Sequence, residues 1–161
     1  MEFAAIAQRL VSAFGTDVSS VTPPKGEPFV QISAARIVEA GRFLRDTPEL
    51  AMDYLSCLSG VDFPDKGQIE IVYHLASIVH HHRLTVKVVL ARETPQVPTV
   101  EGIWPAANWH ERECWDLLGV VFMGHPDPRR ILLPDDWEGH PLRKDYKVQE
   151  YWHGIKVETD H

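Results

Sequence analysis

The 161-residue chain is poor in cysteine. Only Cys57 and Cys114 are present, so at most one disulfide could form, and a reducing compartment is the simpler expectation. Two isolated thiols cannot supply the four ligands of an iron–sulfur cluster or of a Cys-rich zinc site. The glycine motifs G-x-G-x-x-G and G-x-x-x-x-G-K-[ST] do not occur either. The sequence is therefore poor in cofactor chemistry of its own.

Positive charge and long apolar runs are also scarce. Lys and Arg number 16 against 23 Asp and Glu, a formal net charge of −7 with His neutral. Polyanion binding relies on a basic surface, so no nucleic-acid partner is expected. No apolar run approaches the roughly 18 residues of a membrane-spanning helix, so no direct membrane span is expected. With 44% apolar and 24% charged residues, the composition is that of one globular domain.

Hydrophobic periodicity predicts most of the architecture. Period-2 alternation in the later strands indicates a one-sided sheet with helices on its buried face. The predicted fold class is α+β, a two-layer α/β domain of order α-β-β-α-β-β-β, followed by a helix and a long extended Pro-rich C-terminal strap. The predicted elements are helices over Phe3–Phe14 and Ala34 to about Asp46, the latter N-capped by Ser33, and strands over Val18–Thr22, Pro28–Ile32, Ala51–Val61, Ile69–Ala76 and Arg83–Ala91.

The further helix is predicted over about residues 105–118. Pro105 suits the first helical position, and Gly119 suits the residue after the end. At about 100° per residue, His110 falls inside the apolar arc and Glu111 at its edge. Arg112, Glu113 and Asp116 fall on the opposite side, where Arg112 and Asp116 form an i,i+4 pair.

The character of the sequence changes after residue 123. Residues 124–146, here called the strap, contain four prolines and two glycines and show neither helical nor alternating periodicity. A structureless loop of this length is unusual in a compact domain, yet its apolar residues make it unlike a solvated linker. We therefore expect a core domain over 1–123 and a partner-binding strap and tail over 124–161. All five tryptophans occur from Trp104 onward, and Trp and Arg are enriched at binding hot spots.

Two metal-site hypotheses compete with structural interpretations. His110, Glu111 and Cys114 resemble a zinc-binding H-E-x-x-H helix, but a third ligand is not placed by the sequence, and a packed helix is favoured. His80, His81 and His82 alternate in direction, so a solvated turn is favoured over metal binding. The strap's Arg and Lys residues could bind anions, although nearby acidic residues favour salt bridges.

The segment from Trp104 to Tyr146 resembles a known family. Its motifs are Trp104-Pro105-Ala106-Ala107-Asn108-Trp109, Glu111-Arg112-Glu113, Asp116 with Gly119, His125-Pro126, Arg129-Arg130-Ile131-Leu132, Asp135-Asp136-Trp137 and Gly139-His140-Pro141-Leu142-Arg143-Lys144-Asp145-Tyr146. They are similar to the 30-kDa subunit of proton-pumping NADH:quinone oxidoreductase, respiratory complex I. Tyr73-His74-Leu75, Ser77 and Arg83 also fit this family.

The resemblance implies a structural role within a redox enzyme complex. This chain would hold no cofactor, because FMN, the iron–sulfur clusters and the quinone would lie on other subunits of the peripheral arm. Its partner would be the 49-kDa subunit, and the complex would place it peripherally on the cytoplasmic side of the cell membrane. The implied interface residues are His125, Arg129, Arg130, Asp135, Asp136, Trp137, His140, Arg143, Lys144, Asp145 and Tyr146; the implied structural motif is Trp104, Glu111, Arg112, Glu113 and Asp116.

Two other functions stay open from the sequence. The related small subunit of a membrane-bound hydrogenase or formate-hydrogenlyase complex shares much of this module. A stand-alone metal-dependent enzyme using His110, Glu111 and Cys114 is the hypothesis from a different class.

Overall fold

The computed structural model of the chain describes residues 1–157, so residues 158–161 of the predicted tail lie outside the described part. Its elements are α1 (Phe3–Phe14), β1 (Val18–Val21), β2 (Phe29–Ile32), α2 (Ile37–Asp46), β3 (Tyr54–Phe63), β4 (Gln68–Ala76), β5 (Arg83–Ala91), β6 (Gln96–Pro98), α3 (Ala107–Leu118), β7 (Val121–Met123), β8 (Tyr151–Trp152) and β9 (Ile155–Lys156). The predicted α+β class and its order up to β5 are confirmed. Neither β6 and β7, which pair with each other in parallel, nor the β8–β9 hairpin was predicted.

The main sheet has five strands in the order β1-β2-β5-β4-β3. All its pairings are antiparallel except the parallel pairing of β2 with β5. Alternate residues of β4 and β5 are buried, as the period-2 pattern predicts. These inward rows join buried residues of α1, α2 and α3 in one hydrophobic core. The sheet therefore presents one face to the helices.

Helix α3 packs closely on this buried face at Gly60 of β3. A Cβ atom built on Gly60 would overlap Leu118 Cδ1 and lie 3.7 Å from Cys114 Sγ. Since a real Cβ atom is essentially never that close to another atom, the Leu118 side chain or α3 itself would have to shift to accept a larger residue at Gly60. This close approach fixes the helix that carries the candidate site.

Several of the predicted element boundaries are wrong. Ala51 adopts φ 40°, so the third strand begins at Tyr54 and extends to Phe63. The second helix opens with a 3₁₀ turn, and the Ser33 hydroxyl donates to Asp17 instead of capping it. Helix α3 begins at Ala107, two residues after Pro105.

The histidine turn is also not fully solvated. His80 and His81 are exposed, but His82 is buried and its Nε2 lies 2.7 Å from the carbonyl oxygen of Leu50. That carbonyl belongs to a buried loop segment whose backbone group needs a partner, and His82 supplies it. Within residues 1–157, no helix is both long enough and apolar enough to cross a membrane.

Candidate partner-binding site: helix α3 and the strap

The carboxylate of Asp116, near the end of α3, is the centre of the site. Its Oδ2 accepts hydrogen bonds from the backbone N–H groups of Ile131, Leu132 and Leu133 at 3.0, 2.8 and 3.0 Å. Its Oδ1 accepts a hydrogen bond from Arg130 Nη1 at 2.7 Å. Burial raises the pKa of Asp116, but these hydrogen bonds outweigh it and lower the pKa below the ordinary value. Asp116 therefore stays ionised and holds the turn of the strap against α3.

Two arginines complete this attachment. Arg130 also donates from Nη2 to the carbonyl oxygen of Trp137 at 2.8 Å. Arg112, one turn before Asp116 on α3, donates to the carbonyl oxygens of Arg129 and Arg130 at 3.1 and 2.9 Å. The predicted i,i+4 pair of Arg112 with Asp116 is wrong, because the strap covers both side chains and each binds a different group of the strap.

The C-terminal end of α3 is capped by later parts of the strap. Gly119 adopts the left-handed conformation with φ 74°, as its predicted place after the helix requires. Arg143 Nε donates to the carbonyl oxygen of Leu118 at 2.7 Å, and His140 Nδ1 donates to that of Asp116 at 2.9 Å. A guanidinium at this end donates a hydrogen bond to a carbonyl oxygen that has no partner within the helix, and its positive charge interacts favourably with the negative end of the helix dipole.

A buried ion pair connects the strap to the sheet edge. Arg92, which follows β5, bonds both oxygens of Asp62 at 2.7 and 3.0 Å and also pairs with Asp145. The backbone N–H of Lys144 donates to Asp62 at 2.9 Å. The Arg92 hydrogen bond is the main reason that the pKa of Asp62 is lowered. Asp62 lies on the inward row of β3, where an apolar residue is expected. A charged residue at such a position is the signal in the sequence that could have revealed the ion pair of Asp62 with Arg92.

An aromatic cluster holds the far end of the strap. Trp137 Nε1 donates to the hydroxyl of Tyr146 at 3.0 Å, and the Trp137 ring lies 6.2 Å from that of Trp152. Asp136 pairs with His153 and accepts from Trp152 Nε1. These contacts bring the β8–β9 hairpin onto the strap.

The remaining predicted residues are placed as follows. His125 lies at the root of the strap beside Glu111, which is 1% exposed. The Trp104 indole donates to the carbonyl oxygen of Met52 at 2.8 Å and is structural. Glu113 and Asp135 are exposed, and Lys144 takes part through its backbone only.

Arg129 pairs with Asp127 on the surface. His110, predicted on the buried arc, is only half-buried. Within residues 1–157, no three His, Cys, Asp or Glu residues are grouped so as to hold a metal ion.

The pinned strap leaves large apolar side chains facing outward. Leu132, in the turn held by Asp116, is 62% exposed, and Leu142, whose N–H donates to Leu117, is 53% exposed. Trp109 on α3 is 62% exposed and lies over the Arg112 guanidinium. Tryptophan is enriched at binding hot spots, and a backbone already held by hydrogen bonds has less conformational entropy to lose on binding.

Comparisons with known proteins agree with the sequence motifs. The family model described as "Respiratory-chain NADH dehydrogenase, 30 Kd subunit" matches residues 30–152. A protein of Chloroherpeton thalassium, named as the C subunit of NADH-quinone oxidoreductase, is 50% identical over 146 residues, 89% of this chain and 60% of that protein. One of the same name from Chlorobium phaeobacteroides is 48% identical over 146 residues, 89% of this chain and 88% of that protein.

Two solved structures share the fold. A chain of the membrane-bound sulfane sulfur reductase, an archaeal respiratory membrane complex, superimposes with a TM-score of 0.72 and 25% identity over 89% of this chain and 85% of that one. A trypsin-resistant fragment of Nqo5 superimposes with a TM-score of 0.66 and 26% identity, over 79% of this chain and 99% of the fragment. The family model spans well over half of the sequence. The chain belongs to the family of the 30-kDa subunit of respiratory-chain NADH dehydrogenase.

Proposed function

We propose that this chain is a cofactor-free structural subunit in the peripheral arm of a proton-pumping NADH:quinone oxidoreductase. It docks on the 49-kDa subunit and supports electron transfer from NADH to quinone without a chemical step of its own. The observation that carries the proposal is the 48% identity over 146 residues to the Chlorobium protein named as a subunit of NADH-quinone oxidoreductase, 88% of which is covered. FMN, the iron–sulfur clusters and the quinone belong to other subunits. Through the complex, the chain sits peripherally on the cytoplasmic side of the cell membrane.

The geometry of the strap supports docking. Asp116, Arg130 and Arg143 fix the strap's backbone within the chain, so little conformational entropy remains to be lost on binding. Leu132 and Leu142 project outward from that fixed backbone. The arginines and Trp137 act inside the chain, and the two leucines are the better probes of docking.

A second candidate is a homologous subunit of a related membrane complex of the hydrogenase or formate-hydrogenlyase type. The observation that favours it is the fold shared with a chain of the archaeal sulfane sulfur reductase complex, at a TM-score of 0.72. The 25% identity to that chain is half of the 50% identity to the Chloroherpeton protein, and this favours the first candidate. The subunits that co-purify with the chain separate the two.

The test is affinity purification of the tagged chain from the native membrane. We expect a 49-kDa-type subunit to be recovered with NADH:quinone activity; recovery with a nickel-containing large subunit would support the second candidate instead. A chain recovered alone would refute both.

A substitution series tests the docking surface. Leu132→Asp and Leu142→Asp each remove an exposed anchor, and a hot spot of about 2 kcal/mol corresponds to about a thirtyfold loss of partner affinity. The matched control is Ile78→Asp, because Ile78 is 61% exposed but lies in the β4–β5 turn. Partner recovery should fall for the leucine variants only, with the melting temperature of the free chain unchanged. Equal recovery for all three variants would show that the strap's outer face is not the interface.

A further inference from the structure

Glu111 of α3 is a carboxyl group sealed inside the protein. Its Oε1 accepts a hydrogen bond from the N–H of Val100 at 2.8 Å, and its Oε2 accepts one from the Thr99 hydroxyl. Both partners belong to the loop before α3, and the Glu111 side chain has no exposed surface. No salt bridge to Lys or Arg is present at Glu111 among residues 1–157. A buried carboxylate without a cation is unstable compared with its protonated form.

The root of the strap forms one wall around this group. His125 Nε2 lies 3.9 Å from Glu111 Oε2. The ring is already engaged, since Nδ1 accepts a hydrogen bond from the N–H of Asp127 and Nε2 therefore carries a proton, which it donates to the carbonyl oxygen of Asn108. In this arrangement the Nε2–H of His125 is directed to Asn108 and not to Glu111.

A small, partly open cavity borders Glu111 and the root of the strap. Its volume is about 40 Å³, and Trp115, Phe122 and Pro128 contribute apolar walls beside Glu111 and His125. This exceeds the ~15 Å³ that one water molecule needs. A proton leaving Glu111 can therefore pass to water in the cavity.

The other charged and titratable groups around Glu111 give no compensation. Tyr73 faces it from β4 with a hydroxyl that has no hydrogen-bond partner within residues 1–157. Cys114 is on the same helix, and Glu101 on the preceding loop adds negative charge. Arg112 borders the cavity, but its guanidinium binds the strap's carbonyl oxygens and lies 3.7 Å from Asp127.

From this geometry we infer that Glu111 is a proton-binding switch that controls the root of the strap, residues 124–128. With Glu111 protonated, the loop before α3, the helix and the root of the strap stay closed around it. When Glu111 releases its proton to cavity water, the carboxylate favours an opened form in which the root moves away and water reaches it. The inference concerns this chain alone, so it does not depend on the proposed partner.

The electrostatics agree with the sign of this switch. Burial is the largest effect and raises the pKa of Glu111 from 4.5 to about 7, against the lowering effects of Thr99 and Val100. A group with a raised folded-state pKa contributes stability below its unfolded value and loses it as the pH rises through the folded value. Opening should therefore become about tenfold more favourable between pH 6 and 8 by proton linkage.

Amide hydrogen exchange of the full chain, followed by NMR and corrected for intrinsic rates, tests the inference. The N–H groups of Val100 and Asp127 report the closed form, and we expect their protection to fall about tenfold from pH 6 to 8. The amides of Ile131, Leu132 and Leu133, held by Asp116, are the internal control and should keep their protection. A flat wild-type profile at Val100 and Asp127, or an equal fall at the control amides, would overturn the inference.

Two variants sharpen the test. Glu111→Gln removes the titrating group and should abolish the pH dependence at Val100 and Asp127. Thr99→Val removes one hydrogen bond to the carboxylate and should move the midpoint of the transition to higher pH. An unchanged midpoint in Thr99→Val would assign the wild-type transition to another group, even if the Gln variant did not fold.

Discussion

Replacing Asp116 with Asn should detach the strap while leaving the sheet folded. The substitution keeps the shape of the side chain but removes its charge. It also sets an N–H₂ group either against Arg130 or against the N–H groups of Ile131, Leu132 and Leu133, which are all donors. One side of the attachment around the buried Asp116 thereby loses its acceptor.

The magnitude follows from the four hydrogen bonds to this carboxylate. Bonds to a charged group contribute about 1.5–3 kcal/mol each, but they are not independent, because the strap can separate as a unit and rehydrate its amides. Removing one partner of a buried ion pair costs about 3–5 kcal/mol. We therefore expect Asp116→Asn to lower the free energy of strap attachment by about 3–5 kcal/mol, equivalent to more than roughly a hundredfold in the population of the detached form.

The assay is limited trypsin digestion combined with urea unfolding followed by circular dichroism. Trypsin should cleave after Arg129 or Arg130 more than roughly a hundredfold faster in the variant, because cleavage follows the population of the open form. The control is Asp135→Asn, on an exposed side chain of the same strap, which should change stability by less than about 0.5 kcal/mol. If both variants were digested at the same rate, Asp116 would not be the attachment point.

Two further predictions concern the ends of the network. Gly119→Ala should destabilise the chain by about 1 kcal/mol more than Gly67→Ala. Both glycines have the left-handed backbone conformation. A Cβ atom added at Gly119 would lie 2.7 Å from His140, whereas one added at Gly67 would meet no atom within 4 Å. Equal urea midpoints would contradict the contact with His140. The second prediction concerns Asp62, whose pKa is lowered chiefly by the hydrogen bond from Arg92. The ionised Asp62 therefore stabilises the fold at pH values above the ordinary pKa of Asp, and this stabilisation is lost as the pH falls through the lowered pKa. In urea titrations between pH 7 and 3, Asp62→Asn should therefore be less stable at neutral pH and lose less stability on acidification; parallel profiles would refute the role of this pair.

Much of the fold could be predicted because its signals are local. The first helix was predicted with its observed bounds, Phe3–Phe14, and the inward rows of β4 and β5 followed from strict alternation. The wrong element boundaries lie where contacts with residues distant in the sequence determine the backbone conformation. Ala51 takes φ 40° between two buried residues, Leu50 and Met52, so that a loop occupies what the pattern presented as strand.

The sequence by itself determined the α+β class, the family and the absence of regular periodicity in residues 124–146. Only the tertiary structure decided what surrounds α3. Helical spacing places Arg112 and Asp116 on the side opposite the apolar arc, yet both are buried under the strap. Periodicity records which side of a helix is polar, but the segment that covers it comes from further along the chain. The sequence therefore shows that Arg112 and Asp116 are polar, but only the tertiary structure shows that the strap buries them and provides their hydrogen-bond partners.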